Sequence, residues 1–504
     1  MKKSLIVFLF FSSSVVIAQT KNVQTQYAAT ITSADLFKHL SIVAGNEFQG
    51  RETATDGQRK AANYIENYFK SLGLQPGNKD SYQQSFPVFQ DNLIESSLKI
   101  YNHSFSWGKH YSVNLNSAQN GNSSINEVVF VSYGISDSTR DDYKDVIVKD
   151  KWVIIVDATP ADIDKPTSSN RFGMFQKIQT AQKKGVKGIF LVSRDFNRDR
   201  TIPTQGNMYM KQSNNTAQLP NIVSVSTAAA ASILTREVKS FSDFKNITIN
   251  NYKTQTTLSI KKETTTLSST NVLGLLEGTD KKDEYVFITA HYDHLGIRGS
   301  EIFYGADDDG SGTVSVLELA EAFAKAKAKG KGPRRSIVFM TVSGEEKGLW
   351  GSEYYGDNPI YPLNKTTVDL NIDMVGRIDP SYKGDSTNYV FTIGEDKLSS
   401  DLQPIQDKAN QYIKMELDRR YNDPKDPNRF YYRSDHYNFA KHGVPIIFYF
   451  NGVHPDYHKS SDTVDKINFG LMEKRVRLVF HTAWEMANRE EMLKRDIPLN
   501  MPAR

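Results

Sequence analysis

The chain has 504 residues, a formal net charge of +4 from 62 basic and 58 acidic side chains, and no cysteine. A chain without cysteine has no disulfides, thiolate zinc sites, iron–sulfur clusters or cysteine nucleophile, so any metal must be bound by His, Asp or Glu. No basic run is long enough to indicate a nucleic-acid-binding segment, so we expect no nucleic-acid partner.

The N-terminus has the pattern of a cleaved secretory signal. Lys2 and Lys3 precede an apolar run from Leu5 to Ile17, and Ala18 follows it. The alternative is a membrane anchor, but the run is shorter than the roughly 20 apolar residues that span a bilayer. We therefore predict removal of residues 1–18 by cleavage near Ala18, export to the periplasm or the medium, and no stable membrane insertion.

The next segment, residues 19–91, is interpreted as the first part of the main domain. Apolar residues recur at helical spacing from Ala61 to Leu72, and Gly73 follows as a stop signal. Residues 81–89 have the pattern of a strand.

Residues 92–262 differ in residue pattern from the segments on either side. Short apolar runs at 127–132 and 152–156 alternate with turns rich in Asn, Ser and Asp. One helical stretch, from Met174 to Lys184, leads into a further strand at 188–192. We interpret this region as a β-rich module inserted into the main domain.

Residues 263–504 alternate between strands and helices. The predicted strands cover residues 285–290, 336–342, 368–374 and 444–450, and a closing helix covers 467–489. This alternation predicts an α/β fold with a mixed, mostly parallel sheet flanked by helices. Functional residues of such sheets lie at the carboxyl ends of the strands.

Five clusters of acidic residues and histidines follow these strands or begin a helix. They are His291 with Asp293, the run Asp307–Asp309, the pair Glu345 and Glu346, Asp373 in an apolar strand, and His458 with Asp462. Each has a local explanation, such as a helix cap at Asp309 or a salt bridge between Asp373 and Arg377. Oxygen and imidazole ligands without thiolate would suit zinc, and also cobalt or manganese.

Together the clusters resemble peptidase family M28, the zinc-dependent aminopeptidases of the M28/M20 clan. The matching strings are His291-Tyr-Asp293, residues 305–312, residues 344–352, Asn371-Ile-Asp-Met374, Ser434-Asp-His436 and Tyr457-His458. They occur in the order and approximate spacing of the family. The resemblance is close over residues 265–490 and looser over 30–90, which makes 19–91 and 263–504 the two parts of one catalytic domain.

The resemblance also implies a role for each motif residue. The implied ligands are His291 and Asp373 for one zinc, Glu346 and His458 for the other, and Asp308 as the bridge between them. Glu345 would act as the general base, and Asp293 would orient His291. Tyr431 aligns with a tyrosine that polarises the scissile carbonyl in some members, although its neighbour Tyr432 makes that alignment ambiguous.

The inserted region, residues 92–262, resembles a protease-associated (PA) domain. The residues that carry this resemblance are 152–156, 181–188 and 219–225. Such a module would cover the active-site cleft or restrict access to short peptides. The alternative is a scaffold without a role in selection.

The resemblance implies an exported di-zinc aminopeptidase that hydrolyses N-terminal residues from peptide substrates. One alternative is a carboxypeptidase, which needs a cation for the substrate carboxylate. The candidates for that cation are Arg419, Arg420, Arg429 and Arg433. A glutaminyl cyclase-like enzyme and an inactive binding protein are less favoured, because no family ligand is substituted. The substrate side chain, the native metal and the oligomeric state stay open.

Overall fold

The structure is a computed structural model. It describes residues 23–165, 171–197, 202–210 and 219–501, so the predicted signal segment at 1–18 lies outside the described residues. The chain divides into two compact units. The first comprises residues up to Pro87 and from Ser268 onward, and the second is Val88–Leu267. The boundaries expected from the sequence are 91/92 and 262/263.

The strands are numbered in chain order. They are β1 (Gln75–Pro76), β2 (Gln83–Ile100), β3 (His103–Phe105), β4 (Tyr111–Val113), β5 (Gly121–Phe130), β6 (Trp152–Val156), β7 (Gly188–Val192), β8 (Asn221–Val225), β9 (Asn250–Leu276), β10 (Lys281–His291), β11 (Gly296–Arg298), β12 (Glu301–Phe303), β13 (Arg335–Val342), β14 (Thr366–Ile372), β15 (Tyr389–Ile393), β16 (Glu416–Asp418) and β17 (Ile446–Phe450).

The α-helices are numbered in the same way. They are α1 (Ser33–Val43), α2 (Asp56–Ser71), α3 (Arg171–Lys183), α4 (Thr227–Leu234), α5 (Gly312–Ala328), α6 (Trp350–Asp357), α7 (Leu402–Asn410), α8 (His436–Lys441) and α9 (Phe469–Asn488).

The sheet of the first unit has the strand order β16-β15-β17-β14-β10-β13-β9. Its four central strands, β17, β14, β10 and β13, run parallel. Antiparallel pairing occurs where β9 meets β13 and where β15 meets β17. This arrangement confirms the predicted mixed, mostly parallel sheet. All residues of β13 and β14 are buried, as expected of strands covered by helices on both faces.

Alternate residues of the central strands face opposite sides of the sheet. In β10, Val286 and Ile288 join a core with residues of α1, α2, α5 and α9. Phe287, between them, joins an aromatic core with Tyr355 of α6 and Phe439 of α8. Two layers of helices therefore clamp the sheet, and its carboxyl edge carries the functional loops.

The predicted elements of this unit recur with small shifts at their ends. The predicted closing helix, 467–489, is observed as α9. The predicted strand 368–374 instead ends at Ile372, because Met374 has a left-handed backbone with φ of 60°. Asp373 consequently follows the strand rather than lying inside it.

The second unit contains a sheet with the order β9-β5-β6-β7-β8-β4. Strands β5 to β8 run parallel, while β9 and β4 pair antiparallel with their neighbours. Its core includes Val128, Ile154, Phe190 and Val223. Helices α3 and α4 belong to this unit, which makes it an α/β body rather than a purely β-rich one. Among the described helices of both units, none has the length and apolar character needed to cross a membrane.

Candidate metal centre

The predicted ligands lie at the carboxyl edge of the parallel strands of the first unit. His291 is the last residue of β10, Asp373 follows β14, and Glu346 follows β13 together with the predicted base Glu345. His458 lies in the loop after β17, and Asp308 lies in the turn Ala306–Ser311 that leads into α5. Parallel strands bring their carboxyl ends to one edge. Five segments distant in sequence therefore meet there.

Three buried residues form the first candidate metal position. His291 Nε2 lies 3.3 Å from Asp308 Oδ1 and 3.6 Å from Asp373 Oδ1. Ligand atoms of a tetrahedral zinc with bonds of about 2.0–2.1 Å lie roughly 3.3 Å apart. The alternative partner of Asp373, Arg377, pairs instead with Asp456 at 2.8 Å.

The second candidate position shares Asp308 with the first. His458 Nε2 lies 3.1 Å from Asp308 Oδ2 and 3.2 Å from Glu346 Oε2. The two carboxylate oxygens of Asp308 thus face the two positions, as a bridging ligand requires. A further imidazole, that of His294, lies here with Nδ1 2.8 Å from Glu346 Oε1. The sequence motifs assign it no role.

The site fits a divalent cation because it contains buried ligand atoms without partners. Among the described residues, His291 Nε2, Asp308 Oδ2, Glu346 Oε1 and both ring nitrogens of His294 have no hydrogen-bond partner. Each unsatisfied buried polar group costs roughly 1–3 kcal/mol. A cation bound by these atoms would remove that cost.

The electrostatics of the site also favour positive charge. Burial lowers the pKa of His458, but its contacts with Asp308 and Glu346 outweigh burial and raise that pKa to about 10. Burial and the charge of Asp308 raise the pKa of Glu346, yet His294 and His458 bring it down to about 2. The carboxylates therefore attract any nearby cation, whether an imidazolium or a metal ion.

Asp293 links the first metal position to the predicted base. Its Oδ1 accepts a hydrogen bond from the backbone N–H of Glu345 at 3.2 Å, and its Oδ2 accepts one from Thr53 Oγ1 at 2.7 Å. His291 Nδ1 lies 3.1 Å from the carbonyl of Asp293 and 3.7 Å from its carboxylate. The main chain of Asp293 is thus the nearer of the two groups that orient the imidazole.

Two further aspartates hold the loops that carry the ligands. Asp309 accepts hydrogen bonds from Gly312, the first residue of α5, and from the N–H of Met374 at 3.0 Å. Asp462 Oδ2 accepts from the N–H groups of Asp307 and Asp308 at 3.0 and 3.2 Å. These contacts fix the backbone on both sides of the bridging carboxylate.

A pocket opens beside the carboxylates. Its polar floor consists of Asp308, Glu345 and Asp373, and Arg433 also lines it. The remaining lining is mostly apolar and consists of Met374, Phe430, Phe448, Phe450, Val453 and Tyr457. Burial raises the pKa of Glu345 well above its ordinary value, although the charge of His291 opposes that effect.

Tyr431 does not line this pocket. Its side chain is buried and packs edge-on against the rings of Tyr432 and His436. The tyrosine beside the carboxylates is Tyr457, which stacks on His458 with ring centroids 3.9 Å apart. The phenol oxygen of Tyr457 accepts a hydrogen bond from Arg433 Nη2 at 3.2 Å. The sequence signal for it was its place directly before His458.

Comparison with known proteins identifies a family that resembles this region. Residues 271–483 match the model of peptidase family M28, and this range includes every ligand described above. Over these residues the chain is therefore similar to peptidase family M28.

Two curated relatives each match less than half of the chain. Aminopeptidase YwaD of Bacillus subtilis (strain 168) is 26% identical over 242 residues, which cover 46% of this chain and 48% of that protein. A probable leucine aminopeptidase of Arthroderma otae is 30% identical over 215 residues, covering 41% of this chain and 55% of that one. The chain thus spans about half the length of the curated relatives it matches.

Solved structures share the fold over nearly the whole chain. The aminopeptidase from Aneurinibacillus sp. strain AM-1 superposes with a TM-score of 0.56 at 21% identity, covering 95% of this chain and 100% of that chain. BSAP, a zinc aminopeptidase from Bacillus subtilis, gives a TM-score of 0.54 at 20% identity, with 93% and 99% coverage. At this identity the likeness concerns the fold.

Proposed function

We propose that this chain is an exported zinc aminopeptidase that uses two ions to remove N-terminal residues from peptides. One observation carries the proposal: the Glu345 carboxylate lines a partly apolar pocket together with Asp308 and Asp373, which belong to the ligand groups. The names of the relatives, which include aminopeptidases and a zinc aminopeptidase, support the reaction and the metal.

The chemistry divides between the metal and the chain. Two zinc ions bound by these residues would lower the pKa of a water molecule and polarise the scissile carbonyl. Glu345 is the base that takes the proton of the attacking water and delivers it to the leaving amine. Burial raises the pKa of Glu345 above its ordinary value, which is the direction that favours a group that both accepts and releases a proton. Asp293 holds the backbone of Glu345 in place.

The apolar part of the pocket binds the side chain of the first substrate residue. Phe430, Phe450 and Val453 offer hydrophobic contact, so an apolar N-terminal residue buries more surface than a charged one. Tyr457 also lines the pocket, and its hydroxyl would donate to the carbonyl oxygen of the substrate as negative charge develops there.

The proposal is tested with aminoacyl-nitroanilides and the purified protein. We expect release of nitroaniline from a leucyl substrate, loss of release after chelation, and recovery when zinc is restored. An active protein that chelation leaves unchanged would contradict the metal mechanism. A zinc-loaded protein that releases nothing from a panel of aminoacyl substrates would contradict the aminopeptidase.

A carboxypeptidase is the second candidate, and Arg433 is the observation that favours it. Of the four arginines considered from the sequence, Arg433 lines the pocket, whereas Arg419 pairs with Asp407 and Arg420 with Asp418. A guanidinium in the pocket would bind the terminal carboxylate of a peptide. Release of C-terminal residues from N-blocked peptides would establish this activity, and release only from peptides with a free N-terminus would exclude it.

Export and the role of the second unit complete the proposal. The basic and apolar pattern of residues 1–18 supports export, which N-terminal sequencing of the mature protein would test. The resemblance of residues 92–262 to a PA domain supports a role in substrate access. Comparing the rates for di-, tetra- and decapeptides would test that role.

A further inference from the structure

His294 is a buried histidine beside the second candidate metal position to which no family motif assigns a role. It lies three residues after His291, in the segment that follows β10, and its side chain is fully buried. His458, the motif histidine of the same position, has a side chain that is 39% exposed. The position therefore has one buried imidazole and one that reaches solvent.

Both imidazoles lie at ligand distance from the same carboxylates. His294 Nδ1 is 2.8 Å from Glu346 Oε1 and 3.9 Å from Asp308 Oδ2. The corresponding distances for His458 Nε2 are 3.2 and 3.1 Å, to Glu346 Oε2 and Asp308 Oδ2. These values bracket the edge of roughly 3.3 Å between neighbouring ligand atoms of a tetrahedral zinc. His294, Asp308 and Glu346 can hold an ion without His458.

The ring nitrogens of His294 are not satisfied by hydrogen bonds in the described part of the chain. Nδ1 contacts Glu346 Oε1 at 2.8 Å without the geometry of a hydrogen bond, and Nε2 has no hydrogen-bond partner, although the ring is fully buried. Such a buried imidazole is costly unless a ligand satisfies it. The local backbone also makes room for the ring, since a Cβ on Gly305 would lie 2.5 Å from its Cγ. Gly305 has φ of 55°, a conformation that glycine adopts readily.

We propose that His294 is an additional ligand of the second ion, and that it completes the coordination when His458 is withdrawn. Asp308, Glu346 and either imidazole supply three protein ligands, which leaves one position open, as in other catalytic zinc sites. The exposed His458 can then leave without loss of the ion. The inference rests on the proposed two-ion site, but not on the reaction that the site catalyses.

Zinc binding of the full-length protein tests the inference without an activity assay. Wild-type protein and the variants His294→Ala, His458→Ala and the double variant are stripped of metal and titrated with zinc against a chromophoric chelator. We expect two ions in the wild type and in each single variant, with the affinity of the second position lowered by at least the roughly 10–100-fold that loss of an outer partner of a ligand costs. The double variant should bind one ion.

His442→Ala serves as the control for loss of a partly buried imidazole outside the site. This imidazole lies 4.0 Å from Asp357, and the variant should bind both ions as the wild type does. Thermal unfolding reports whether each variant folds. If His294→Ala does not fold, His458→Ala alone decides. Retention of two ions there requires another ligand, which a residue that merely oriented Glu346 would not provide.

Three results would overturn the inference. They are fewer than two ions in the wild type, wild-type zinc affinity in His294→Ala, and loss of an ion from His458→Ala. The proposed function fails in a different way. A wild type that binds two ions but hydrolyses no peptide would remove the peptidase and leave the ligand assignment standing.

Discussion

Arg51 donates a hydrogen bond from Nη2 to the carbonyl of Gly305 at 2.9 Å, across 254 residues of sequence. Its other N–H groups donate to the carbonyls of Tyr292, Val43 and Tyr304 at 2.7–2.8 Å. The side chain is fully buried. One guanidinium therefore fixes both ends of the loop between β10 and the turn that carries Asp308.

Replacing Arg51 by methionine should destabilise the protein and weaken metal binding. The change leaves four carbonyls without their donor, and each buried acceptor left unsatisfied costs roughly 1–3 kcal/mol. We expect a clear fall in the unfolding midpoint and weaker zinc binding in a chelator competition. Arg59→Met removes an arginine whose side chain is 57% exposed and should change neither. Equal behaviour of the two variants would contradict the structural role of Arg51.

Replacing Glu345 by glutamine should abolish turnover while both metal positions stay filled. Glutamine preserves the shape of the side chain but cannot accept the proton of water, and loss of a general base costs roughly 10²–10⁴-fold in kcat. Metal content and kcat are measured on the same preparation. Glu277→Gln, at a side chain that is 43% exposed, should keep wild-type kcat. Turnover retained by Glu345→Gln would remove this residue from the role of base.

Phenylalanine substitutions of Tyr457 and Tyr431 should differ in their effect on kcat. Tyr457 lines the pocket, so its phenylalanine variant should lose about 10²–10³-fold in kcat, the range for loss of a hydrogen bond to the transition state. Tyr431 lies outside the pocket lining, so its variant should keep kcat within about twofold, since no donor to the transition state is lost. Steady-state kinetics with one nitroanilide separates the two. A reversed order of effects would favour the role predicted for Tyr431 from the alignment.

Glu318 should make the stability of the protein fall as the pH rises. Its buried carboxyl lies 3.5 Å from His39 Nε2, and burial, with the charges of Glu321 and Asp35, raises its pKa from 4.5 to about 8. The folded state therefore holds the proton more tightly than the unfolded state. Its contribution is complete below pH of about 4.5 and is lost as the pH rises to about 8.

The variant Glu318→Gln mimics the protonated carboxyl and should remove this dependence. We expect it to match the wild type at pH 5 and to have a higher unfolding midpoint at pH 8.5. The gain corresponds to a few kcal/mol, because each unit of pKa shift is worth about 1.4 kcal/mol. Glu237→Gln, at a side chain that is 80% exposed, should follow the wild type at every pH. A constant difference between Glu318→Gln and the wild type would contradict the assigned pKa.

The clusters that contain the candidate ligands could be located from sequence because each follows a strand or begins a helix, and the family resemblance then implied which residues are ligands. The end of an apolar strand such as residues 336–342 is visible in the sequence because polar residues follow it. The parallel arrangement then brings the residues after each strand together. His294 and Arg51 had no such signal. Their roles depend on the left-handed turn at Gly305 and on contacts with carbonyls far along the chain, which no local pattern encodes.

Tyr431, the tyrosine assigned from the alignment, lies outside the pocket lining for a geometric reason. Residues 430–432 form a 3₁₀ turn, in which residues i and i+3 lie on the same face. Phe430 and Arg433 therefore both face the pocket, and Tyr431 points about a third of a turn away. Motif spacing alone cannot distinguish this turn from an extended segment.

The division of the catalytic unit by residues 88–267 has a consequence for the order of synthesis. Arg51 leaves the ribosome long before Gly305, and loop closure over such a distance is slow. A nascent chain ending at residue 267 carries none of the five motif ligands. Truncated translation products therefore lack the residues for hydrolysis, and the centre can assemble only after most of the polypeptide has been made.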